Sequence, residues 1–87
     1  MENTDKRVAI VGIIVENLDK ASEINAILHE YSEFIIGRMG IPYREKHLSI
    51  MSIAIDAPNN VINALTGRIG RLEGVFAKAT YSTYNKK

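Results

Sequence analysis

Residues Ser32 to Asp56 read SEFIIGRMGIPYREKHLSIMSIAID, two apolar strand-like runs joined by a connection rich in Gly, Pro and charge. The first run, Phe34 to Met39, carries Gly37 and Gly40 within or beside it, which marks a bulge or a close backbone approach. Ile41-Pro42 cannot continue a central ladder, because Pro donates no amide hydrogen, so Gly40 to Lys46 reads as a short exposed loop. The second run, His47 to Asp56, places Leu48, Ile50, Ser52 and Ala54 on one face and Met51, Ile53 and Ile55 on the other. It is apolar on both sides.

Each flank of this hairpin repeats the same pair of elements. Arg7 to Val15 (RVAIVGIIV) is β-branched and apolar at consecutive positions, with Ala9, Val11, Ile13 and Val15 pointing one way and Val8, Ile10 and Ile14 the other. Asn17 is a good N-cap and Asp19 suits a helix's first turn. Ala21, Ile24, Ile27, Leu28 and Tyr31 then form one apolar stripe, leaving Ser22, Asn25, Ala26 and His29 on the outer side. After the hairpin, Pro58 opens a second helix with a stripe of Val61, Ile62, Leu65, Ile69 and Leu72, while Gly67 and Gly70 lie opposite. Gly74 is a glycine stop, and Val75 to Tyr81 is the last strand. Residues 1–6 read as a disordered N-terminal tail, 7–82 as a single domain and 83–87 as a polar C-terminal tail.

The order β-α-β-β-α-β, with right-handed crossovers, is the ferredoxin-like α+β fold: a four-stranded antiparallel sheet ordered 4-1-3-2 with both helices on one face. The two strands that are apolar on both sides are the two that this topology makes central. Helices cover only one face, so the other needs a cover of its own. Assigning Ile13, Met51, Ile53 and Ile55 to that second face predicts a homo-oligomer, dimer or tetramer, formed through the sheet.

Composition narrows the function classes. A chain of 87 residues makes one small domain, and 11 Lys plus Arg against 10 Asp plus Glu gives a formal charge of +1. That charge supplies no drive toward phosphate backbones or anionic membranes, so direct nucleic-acid or membrane binding is not expected. The absence of cysteine excludes disulfides and thiolate metal sites and fits a cytoplasmic protein. No P-loop, dinucleotide fingerprint or nucleophile-base set occurs, so neither an enzyme nor a cofactor is expected. Glu45 and His47 stand two apart, yet no further ligand converges on them in sequence, and a metal site needs three or four. The better binding candidates are Arg38, Arg68 and Arg71, whose guanidinium forks suit anions, with Gly37 and Gly40 allowing a ligand to approach the backbone.

Four stretches carry a family resemblance: RVAIVGIIVEN from Arg7, IIGRMGIPY from Ile35 to Tyr43, LSIMSIAID from Leu48 to Asp56, and LTGRIGRLEGV from Leu65 to Val75. With these the chain resembles the putative iron-only hydrogenase system regulators, short stand-alone domains similar to ACT domains and to the C-terminal domain of nickel-responsive regulators. IGRMGIP is the most specific of the motifs. The resemblance implies an oligomeric, regulatory domain that senses a small anionic ligand or binds a partner protein of the hydrogenase system. It does not extend to nickel: where the nickel regulators place His and Cys ligands, this chain has IIGRMGIPY and GVFAKATY. Only about six residues precede the first strand, too few for those regulators' DNA-binding segment, so any control of transcription is expected to run through a partner. The alternative is a purely structural assembly module without a ligand.

Overall fold

The structure is a computed structural model that describes residues 5–83. The tails expected at 1–6 and 83–87 lie mostly outside those residues; within them, strand structure starts one residue earlier than read, at Lys6. Strand β1 (Lys6–Val15) leads through a single 3-10 turn, Leu18–Lys20, into helix α1 (Ala21–Glu30). A second such turn, Ser32–Phe34, leads into strand β2 (Ile35–Tyr43) and a third, Arg44–Lys46, into strand β3 (Leu48–Pro58). Helix α2 (Asn59–Gly70) and strand β4 (Val75–Tyr81) complete the chain. The sheet is antiparallel throughout and ordered β2-β3-β1-β4, the expected ferredoxin-like arrangement.

Local chemistry accounts for most boundaries. The Asn17 carboxamide accepts the Asp19 amide at 3.1 Å, capping the turn that feeds α1. Gly74 ends the connection to β4 at φ 76°, and a Cβ there would lie 2.7 Å from the Cβ of Asn17. Its carbonyl accepts the amides of Glu16 at 2.7 Å and Asn17 at 3.3 Å, tying the end of β1 to the start of β4. In β2 the register slips between Ile35 and Gly37, so Ile36 is the extra residue of a bulge.

Two expectations about the hairpin change. Phe34 closes a 3-10 turn instead of opening the strand. The strand runs on through Pro42, which pairs with Ser49, to Tyr43. An edge strand tolerates this, because one row of its backbone groups has no neighbour to serve. The loop shrinks to Arg44–Lys46, and His47 caps it in the left-handed region at φ 55°.

The core lies between the helices and one face of the sheet: Ala9, Val11, Ile13 and Val15 of β1 and Ile53, Ile55 and Ala57 of β3 meet Ile24 and Leu28 of α1 and Ile62, Leu65 and Ile69 of α2. This reverses the assignment of faces. Ile13, Ile53 and Ile55, expected at a subunit interface, are at most 1% exposed beneath the helices, and Met51 is half-buried on the same side. The uncovered apolar face is the opposite one, built from Val8, Ile10, Ile14, Met39, Ile41, Ile50 and Phe76. Strand alternation gives two faces but does not say which the helices choose; composition does. Polar Ser52, Lys78 and Thr80 all fall on the open side, whereas positions 9 to 15, 51 to 57 and 75 to 79 on the covered side are wholly apolar.

Candidate functional site

The five predicted binding residues separate into different environments. Arg68 on α2 is committed: its guanidinium grips Glu30 of α1 through both nitrogens, at 2.8 and 3.2 Å, and lies 5.8 Å from the centre of the Tyr31 ring. That bidentate bond and the arginine charge hold the Glu30 carboxyl below the ordinary carboxylate range, and the bonds to Glu30 raise Arg68 further above its already high value. Arg71 is exposed and its guanidinium lies along Gly67, where an added Cβ would be 3.5 Å from Nη1. A side chain therefore fills the surface that the α2 glycine leaves. Gly37 pairs with Ala54 and belongs to the open face, away from both arginines.

Arg38 and Gly40 do come together. Both lie on the helix-facing side of β2, opposite Ile53 and Met51, beyond the reach of α2 and beside α1. Arg38 donates to the Asn25 carboxamide oxygen at 2.7 Å, so one hydrogen bond joins β2 to α1 across a gap in the second layer. A cavity opens on each side of that bond. The larger, about 310 Å³, is edged by His29, Ser32 and Ile35; the smaller, about 200 Å³, reaches inward to Val15, Ala21, Ile24, Ser49 and Met51. Among the described residues, Arg38 forms no ion pair with a carboxylate.

Asn25 and Ser49 were not singled out from sequence. Asn25 is exposed, as its place on the outer side of the stripe predicts, but it sits where the flank of the α1 stripe meets β2. Its position three before Leu28 and four after Ala21, both stripe residues, was the available signal. His29 is exposed and edges the larger cavity. Glu45 accepts the Tyr43 hydroxyl at 3.1 Å on the surface, and His47 is the turn residue described above. Among the described residues no three His, Cys, Asp or Glu side chains gather as around a metal ion, and no helix is long and apolar enough to cross a membrane.

The open face is the other candidate surface. Val8, Ile10 and Ile14 of β1, Ile50 of β3, Met39 and Ile41 of β2 and Phe76 of β4 are each 40–58% exposed, and Ile41, Ile50, Ile14 and Phe76 form one cross-strand row. At the centre Gly12 pairs with Ser52 and with Lys78, leaving a shallow hollow of about 470 Å³ flanked by Ile14, Ile50 and Phe76.

Comparison with known proteins gives one consistent answer. The structure of uncharacterized protein TM1266 from Thermotoga maritima superposes with a TM-score of 0.82 at 38% sequence identity, over 87% of this chain and 96% of that one. Curated proteins give no significant match. The family described as "TM1266-like: Iron-only hydrogenase system regulator, putative" matches residues 7–79, and the chain belongs to that family.

Proposed function

We propose that this protein is a non-enzymatic, cytoplasmic regulatory domain that works as a homo-oligomer, a dimer or tetramer, through the open face of its sheet. It responds there or nearby to a small anionic ligand or to a partner protein of the hydrogenase system. The observation that carries this reading is the open face itself. Seven large apolar side chains stand on it, each at least 40% exposed. Exposed apolar patches larger than an ordinary monomer carries mark interaction sites.

A second copy of the chain is the occupant that fits. A net charge of +1 does not hold two copies apart, and an isologous pairing lets one flat apolar sheet cover another. The family description supplies the regulatory setting, and Arg38, held by a neutral amide, supplies a cation suited to anions.

Size-exclusion chromatography with light scattering at micromolar concentration tests the assembly. The native chain is expected at a multiple of its 9.7 kDa mass, and Phe76→Glu at the monomer mass. A native chain that elutes as a monomer overturns the reading.

A further inference from the structure

We propose that the inner cavity beneath Arg38 binds a short-chain carboxylate, with the carboxyl group on Arg38 and the apolar body on Ala21 and Met51. This names the ligand class for the sensing part of the reading above and rests on it. Three features of the cavity select that chemistry.

The first is its donor set. Arg38 offers a planar fork of N–H groups, and among the described residues its hydrogen-bond partner is the neutral oxygen of Asn25 at 2.7 Å. Because that oxygen is occupied, the Asn25 amide nitrogen is left to donate, and the Ser49 hydroxyl stands on the same face of the sheet as Met51. No acidic side chain lines the cavity. Donors without a competing carboxylate favour an anion, and a guanidinium engages a carboxylate through two parallel bonds.

The second is the floor. Val15 and Ile24 are 1% exposed in the folded chain, so the cavity ends on the hydrophobic core. Above that floor Ala21 is exposed and Met51 half-buried, and a short alkyl chain covers them where an anion with no apolar body leaves them in water. The third is size. About 200 Å³ is below the roughly 300–1,000 Å³ of sites for drug-sized ligands, so the occupant has few heavy atoms. Gly40 keeps the space open: it pairs with Met51 on the helix-facing side, and a Cβ there would already touch the Met51 side chain at 3.9 Å. Any larger residue at that position projects into the cavity.

Butyrate is the probe. In ¹⁵N-HSQC titrations of the full chain, butyrate is expected to shift the amides of Asn25, Arg38, Gly40 and Ser49 in a saturable manner. n-Butanol, which lacks the charge, and inorganic phosphate, which lacks the alkyl body, are expected to leave them unmoved. Arg38→Gln is expected to weaken butyrate binding roughly tenfold or more, the loss of a charge-assisted pair. Gly40→Val abolishes it by filling the space, while Gly37→Val, on the opposite face with nothing within 4 Å of its Cβ position, leaves it intact. Dispersed spectra of the variants establish that they fold. Shifts that are absent with butyrate, equal with phosphate, or unchanged in Arg38→Gln overturn the proposal. None of these outcomes depends on the oligomeric mass, so failure here is distinguishable from failure of the sheet-mediated assembly.

Discussion

At the scale of single residues, the Glu30–Arg68 pair predicts a pH dependence of stability. Its pKa is lowered in the folded state by the hydrogen bonds and charge of Arg68. A depressed carboxyl contributes stability that is fully present above its unfolded value, about 4.3, and is lost as pH falls through the lower folded value. Urea midpoints of the native chain and Arg68→Met are therefore expected to differ at neutral pH and to converge in strong acid. Both groups are exposed, so added salt should shrink the neutral-pH difference. A difference that persists in acid assigns the effect to packing on Tyr31 instead. Sequence pointed to arginines as the functional side chains and ranked Arg68 with Arg38. What separates them is a carboxylate 38 residues away for one and a neutral amide for the other. Such long-range partners leave no local pattern to read.

At the scale of elements, periodicity located both helices and all four strands, and the double-sided apolar patterns of β1 and β3 marked them as central. The ends of β2 were harder. Pro42 reads as a stop only for a strand with neighbours on both sides, and β2 has one. The expected covered face is the wrong one, because a period of two is symmetric and the polar residues at 52, 56, 78 and 80 on one side break the tie. This has a measurable consequence. In the Phe76→Glu background, which disrupts the proposed assembly, Ile53→Ala is expected to cost about 2–5 kcal/mol, since Ile53 is fully buried beneath the helices. Ile50→Ala, on the open face at 40% exposure, is expected to cost less than about 1 kcal/mol. Chemical denaturation compares the two directly, and equal costs would contradict the face assignment.

At the scale of the whole molecule, topology and strand order follow from the alternation of elements, but the occupant of the open face does not, because nothing within one chain encodes the surface that meets it. The sheet has two apolar faces and the chain supplies helices for one. A domain of this size buries only about 60% of its unfolded surface, so covering the second face adds a large share of the available stabilisation. If a second copy is that cover, folding and association are linked by mass action. Tenfold dilution then costs a dimer about 1.4 kcal/mol of association free energy, about 0.7 per chain. For a chain this short that is a fall of roughly 3–6 °C in Tm. The native protein is thus expected to melt lower with each tenfold dilution in a calorimetric or fluorescence series. Ile14 and Ile50 are cross-strand partners on the two central strands of the open face. Replacing both with Lys sets like charges against the partner's apolar surface while leaving the core beneath the helices untouched. The doubly substituted chain should melt at one temperature regardless of concentration, at or below that of the native chain at its most dilute. A native Tm that does not move with dilution, alongside a monomer mass, would leave the open face to a different protein.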